Sequence, residues 1–161
     1  MKKVAIDEVR NEVNPLQVHD TRRPVSDALG TEHVAMNYFE LGPGDSFSGG
    51  LHTHHDQEEI FYVEEGEVVF EVGLEREEVS VSSGELIRFA PGEFQVGTVP
   101  DDGERTVGWA VGAPGARHDW DALESVVPCR ECGTEEIHAT RLTDEGRFAF
   151  TCTDCGTQFS L

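Results

Sequence analysis

His52-Thr53-His54-His55-Asp56-Gln57-Glu58-Glu59, closed by Gly66, is the stretch on which the reading of the fold turns. His52 and His54 are two positions apart, so on an extended strand both imidazoles point to the same face. A short polar break follows. Glu59 then opens Ile60-Phe61-Tyr62-Val63, which reads as a second strand. Two strands meeting at a turn bring His52, His54 and Glu59 to one point, where two imidazoles and a carboxylate can share a metal ion.

Short strands with turn signals between them lie on both sides of this stretch. Residues 34–41 end at Gly42-Pro43-Gly44, and a hairpin runs from 60–63 through Glu64-Glu65-Gly66 into 67–72. Residues 79–81, 86–89, 94–99 and 106–111 follow, each bounded by glycine or proline turns. None of them carries sustained helical periodicity. Many short strands at regular spacing imply an all-β sandwich or barrel. Residues 1 to about 30 are weakly patterned, and Asn14-Pro15 and Arg23-Pro24 interrupt any long element. Val4-Ala5-Ile6 is read either as an edge strand or as part of a solvated arm.

These residues resemble the cupin superfamily. Its first motif is glycine, five residues, His-x-His, three or four residues, glutamate, six residues, glycine. His52-x-His54, then four residues and Glu59, then six and Gly66, fit it, whereas Glu58 gives the wrong spacing to Gly66. The leading glycine is off its usual distance, although Gly44 and Gly50 are nearby. Residues 84–95 stand for the second motif, with Gly84 and Gly92 in place. Ala90 replaces the first proline of the usual pair, and Gln95 replaces the histidine that serves as fourth ligand. The resemblance spans about residues 34–113 and implies a double-stranded β-helix, or jelly roll, with a metal inside the barrel. It also implies pairing of two copies through their sheets, so a homodimer is expected.

Two histidines and one carboxylate, with Gln95 as a weaker neutral ligand, form the set used by many non-haem iron sites with open positions. Fe, Mn, Ni or Zn are all compatible with these ligands. Arg88 and Phe61 are candidate contacts for a substrate. The competing readings are a surface ion pair for Arg88 and core packing for Phe61. His55 is read as a solvated loop residue and Trp109, alternating with Val107 and Val111, as core. His19, His33, His118 and His138 are read as non-ligands.

A second constellation closes the chain. Cys129-Arg130-Glu131-Cys132-Gly133 and Cys152-Thr153-Asp154-Cys155-Gly156 are two C-x-x-C-G knuckles with 19 residues between Cys132 and Cys152. This spacing predicts one structural zinc held by Cys129, Cys132, Cys152 and Cys155. With strands expected over 137–142 and 148–151, the segment resembles a zinc ribbon. So short a segment builds little core, so the metal is expected to supply most of its folding energy. The reading divides the chain into an N-terminal arm over 1–32, a barrel over 33–114, a linker with at most one helical turn over 115–127, and the ribbon over 128–161.

Composition narrows the functional classes. There are 32 acidic against 12 basic side chains, a formal charge of −20, and the only lysines are Lys2 and Lys3. The acidic residues are dispersed, which predicts a folded domain with an acidic surface, as in halophilic and haloarchaeal-like proteins. Such a balance disfavours nucleic acid as a partner. The ribbon itself holds Arg130, Arg141 and Arg147 against six acidic residues, so contact with a protein is the favoured role. No apolar run approaches the roughly 20 residues of a membrane span. The N-terminus turns acidic at once, unlike a secretory signal, and a cytoplasmic location is expected. The functional expectation is a metal-binding protein that holds a small polar ligand in its barrel. The alternatives are a metal-dependent dioxygenase or isomerase and a transcription accessory protein acting through the ribbon.

Overall fold

The computed structural model describes residues 1–12 and 14–161. The strands are β1 (Thr21–Pro24), β2 (Ala35–Leu41), β3 (His52–His54), β4 (Glu58–Glu65), β5 (Glu67–Val72), β6 (Glu77–Ser82) and β7 (Leu86–Phe89). They continue as β8 (Gln95–Thr98), β9 (Thr106–Ala113), β10 (Leu123–Pro128), β11 (Glu135–Leu142), β12 (Phe148–Cys152) and β13 (Gln158–Ser160). One short helix, α1 (Val25–Leu29), follows β1. Among the described residues no helix is long and apolar enough to cross a membrane.

All strand pairs are antiparallel and fall into two sheets, as expected for an all-β jelly roll. The first sheet has the order β1-β2-β9-β4-β7 and the second β13-β12-β11-β10-β3-β8-β5-β6. The two sheets close on an aromatic core. Phe47, Phe61, Phe70 and Phe89 lie within 5.0 to 6.2 Å of one another along the chain of ring contacts, and all four are buried. The expected hairpin around Gly66 is instead a crossover from β4 in the first sheet to β5 in the second; Gly66 has φ +82°, and a Cβ there would lie 3.0 Å from the backbone of Arg105 and Thr106, so the crossing calls for glycine.

Three further parts of the sequence reading are revised. The edge strand of the arm is Thr21–Pro24, paired with β2, while Ile6–Glu8 is a turn of 3-10 helix. Leu123–Pro128, which spans the end of the expected linker and the first residue of the expected ribbon, is a strand hydrogen-bonded to β3 on one side and β11 on the other. The C-terminal module is therefore joined to the barrel by a continuous sheet. Trp109 faces outward, packed edge-on against Tyr38 at 5.1 Å and donating to Glu64. The barrel-facing positions of β9 are the buried Gly108, Ala110 and Gly112, because the phenylalanine cluster already fills the interior opposite them.

Candidate metal centres and the adjoining cavity

Strand β3 presents His52 and His54 on one face, and β4 begins one residue before Glu59. One ligand atom from each of His52, His54 and Glu59 lies within 4.8 Å of the others. His52 Nδ1 is 2.9 Å from the Gly50 carbonyl, which fixes the ring and leaves Nε2 facing inward. His54 Nε2 is 3.6 Å from Glu59 Oε1.

Burial sets the protonation of all three. It pushes His52 down to about 4 and His54 down to about 2, so both rings are neutral and ready to ligate at pH 7. It pushes Glu59 up to about 7, opposed by a hydrogen bond from Gln95. No arginine or lysine pairs with Glu59 among the described residues. A carboxylate sunk beside two neutral imidazoles without a counter-ion is a donor set that fits a divalent cation.

Gln95 stands opposite His52 in the pairing of β3 with β8. Its Nε2 donates to Glu59 Oε2 at 2.9 Å, and its Oε1 is buried without a partner. In this arrangement Gln95 orients the carboxylate. Ligation through Oε1 requires the amide to turn over, which also gives that oxygen the partner it lacks.

The two candidate substrate contacts lie elsewhere. Arg88 is on the outer face of β7, 55% exposed, with Nε 2.6 Å from Glu58. Phe61 is part of the aromatic core. His55 is solvated and pairs with Glu124 at 2.9 Å.

A residue that sequence reasoning passed over does reach the centre. The loop after β9 brings His118 against His54, ring centroids 4.6 Å apart, and Trp120 backs it at 4.4 Å. His118 Nε2 is buried and without a partner, and burial lowers its pKa. Gln57 holds this loop by donating to the Pro114 and Gly115 carbonyls. His118, Glu59 and Gln57 line one end of a cavity of about 270 Å³. The only signal in the sequence was the dense polar and aromatic run Arg117-His118-Asp119-Trp120, which has no spacing relation to the first motif.

The four cysteines converge as well. Their sulfurs lie within 4.8 Å of one another, with Cys129 Sγ 3.6 Å from Cys155 Sγ and Cys132 Sγ 4.0 Å from Cys152 Sγ. A tetrahedron with Zn–S bonds of about 2.3 Å has edges of about 3.8 Å. The thiols are unlinked, since a disulfide needs about 2.05 Å. Both knuckles fold alike. Gly133 N donates to Cys129 O and Gly156 N to Cys152 O, each at 3.0 Å. Gly133 and Gly156 have φ +75° and +74° in open surroundings, so the turn conformation alone accounts for glycine at both places. The module packs on the barrel through Trp120 against Phe148 and through Arg76 with Glu135.

Comparison with known proteins agrees with this architecture. Residues 37–96 match the family model described as a cupin domain. A sugar phosphate isomerase from a cupin superfamily from Silicibacter pomeroyi superposes with TM-score 0.60 at 19% identity, over 99% of this chain and 92% of that one. A putative sugar phosphate isomerase from Acidithiobacillus ferrooxidans gives 0.59 at 16% identity, over 96% and 84%. The polyketide cyclase RemF from Streptomyces resistomycificus gives 0.64 at 22% identity, over 81% and 88%. No curated protein matches the chain. At these identities the likeness is one of fold. Residues 37–96 thus match a cupin domain, and the two-sheet jelly roll and its structural neighbours agree with that fold.

Proposed function

We propose that the barrel binds one divalent metal through His52, His54 and Glu59 and holds a small polar ligand in the adjoining cavity. The observation that carries this reading is the uncompensated Glu59 carboxylate within 4.8 Å of two neutral imidazole nitrogens, at the wall of a cavity. A bound ion would supply Lewis acidity or, as iron or manganese, redox chemistry. Gln95 steers Glu59, and becomes a fourth ligand if its amide turns over. Cys129, Cys132, Cys152 and Cys155 hold a structural zinc, and the acidic module they organise suits contact with a protein. Dispersed acidity fits a halophilic cytoplasmic protein, and two copies pair through the outer face of the first sheet.

Metal analysis tests the centre. The native chain is expected to carry one barrel metal and one zinc. The double variant H52A/H54A is expected to lose the former and keep the latter; unchanged metal content in that variant overturns the assignment.

A second reading, a metal-dependent enzyme of isomerase type, is favoured by His118. His118 lines the same cavity as Glu59 and its Nε2 has no partner, so the ring is a candidate to take a proton from a ligand or give one to it. Structural neighbours named as isomerases and a cyclase support it. On this reading H118N abolishes turnover on a sugar-phosphate panel while leaving the barrel metal in place. Ligand binding without turnover in the native protein returns the answer to the binding role.

A further inference from the structure

We propose that Arg22 is the receptor for the anionic end of the barrel ligand. The ligand is thus a small molecule with a carboxylate or phosphate at one end and an oxygen donor at the other. The inference rests on the reading of the barrel as a ligand site and names the ligand's class.

Ten arginines face 32 carboxylates. Six make ion pairs, including Arg117 with Asp27 at 2.7 Å. Arg23 donates to the Asp7 and Val9 carbonyls. Arg130 and Arg147 are exposed, and Arg130 lies over the Phe159 ring. Arg22 alone is half-buried and, among the described residues, has neither an ion pair nor a side-chain hydrogen bond. Burial pulls its pKa below the usual guanidinium range. Asp27, whose field reaches Arg22, is itself paired with Arg117, so in so acidic a chain the half-buried guanidinium forms no ion pair of its own, a cost that the fold retains.

Register shows where the side chain goes. Arg22 stands opposite Phe39, which is buried in the core, and Arg23 stands opposite Tyr38 on the outer face. Directly opposed residues share a face, so Arg22 points into the barrel. It lines the same cavity as Glu59 and His118. The other cation on that wall, Arg117, is already held by Asp27, which leaves Arg22 as the free donor fork. A planar guanidinium accepts carboxylate and phosphate alike through paired N–H donors. The volume of about 270 Å³ admits a small metabolite-sized molecule reaching from Arg22 toward Glu59, the one candidate metal ligand on its wall among the described residues.

Calorimetric titration of the metal-loaded full chain, at fixed ionic strength, tests this. The probes are inorganic phosphate in one arm and acetate in the other. The native chain and the control R147Q are expected to bind one of the two anions, and the arm that responds names the class. R22Q is expected to weaken that binding about tenfold or more, and R22K, with charge but no fork, by less. Melting of each variant without anion checks its fold; if R22Q does not fold, R22K carries the readout. Native-like affinity in a folded R22Q, or in R22K where R22Q does not fold, overturns the proposal. So does failure of both anions to bind the native chain at about millimolar concentration. Metal content measured on the same samples separates the two readings. Native protein without barrel metal that still binds anion through Arg22 sinks only the metal centre. Metal-loaded protein without Arg22-dependent binding sinks only this inference.

Discussion

His52 and Cys152 lie in one row of a single sheet, with Ser125 and His138 between them. Ser125 stands opposite His52 in the pairing of β10 with β3, and opposite His138 in the pairing of β10 with β11. His138 in turn stands opposite Cys152. Three strand spacings, about 14 Å, thus connect a candidate ligand of the barrel metal to a candidate ligand of the zinc. Thr140 ties the row further by donating to the Ser125 hydroxyl at 3.0 Å. The module is not a bead on a flexible tether; its sheet supports the histidine strand.

Removal of zinc by a strong chelator is therefore expected to release the amides of β11 to β13 and to loosen β10 against β3, while β4, β5 and β9 stay protected around the phenylalanine core. Hydrogen exchange resolved along the chain reads this. Full protection of residues 135–160 without metal would remove zinc from the account of the module.

Binding of metal to the barrel is expected to displace one proton below pH 7. His52 and His54 are already neutral there, being held at about 4 and about 2, whereas burial keeps Glu59 protonated up to about 7. The apparent affinity should rise about tenfold per pH unit between 5 and 7 and then level off. E59Q should bind weakly with no such slope. A native profile flat from pH 5 to 7 would show that Glu59 ionises in the ordinary range or does not ligate.

The candidate metal ligands were legible because their spacing is local. His52, His54 and Glu59 lie on two successive strands, and the cysteines come in pairs on tight turns. Arg22 and His118 were not legible, because their place at the cavity depends on which strands become neighbours: β1 pairs with β2, and the loop after β9 folds back over β3. Trp109 was misplaced for another reason. Alternation gives two faces but not which one is interior, and here the small residues face the core since Phe47, Phe61 and Phe70 occupy it. Leu123–Pro128 has a strand-like composition, Leu-Glu-Ser-Val-Val-Pro, but its pairing with β3, far back in the sequence at His52–His54, left no local sign.

Melting temperature is expected to rise from about 0.1 M to multimolar KCl. Net charge is −20, and the Debye length shrinks from about 10 Å to about 3 Å between 0.1 and 1 M. Repulsion among dispersed carboxylates is thereby screened, whereas the exposed ion pairs, each worth little, lose little. A melting temperature that is flat or falls with salt would argue against adaptation to brine.

The proposed homodimer has a specific surface. Leu86, Tyr62, Trp109 and Tyr38 form one row across β7, β4, β9 and β2, on the face opposite the aromatic core. Leu86 is 66% exposed, and the neighbouring Arg88–Glu58 and Arg105–Glu40 pairs give the row a polar rim. An apolar row bordered by charge is the composition of an interface, and multimolar salt strengthens burial of such a row while screening the repulsion between two chains of charge −20. Light scattering coupled to size exclusion in multimolar KCl is expected to give twice the chain mass of 17.8 kDa. L86R and W109R together should give the monomer without loss of either metal, because neither side chain approaches the barrel interior or the cysteines. A monomeric native protein, or a dimer indifferent to both substitutions, would remove this face from consideration. The charged rim also makes a graded forecast: lowering the salt toward about 0.1 M should dissociate the native dimer before the barrel unfolds, since repulsion between chains returns while each core remains buried.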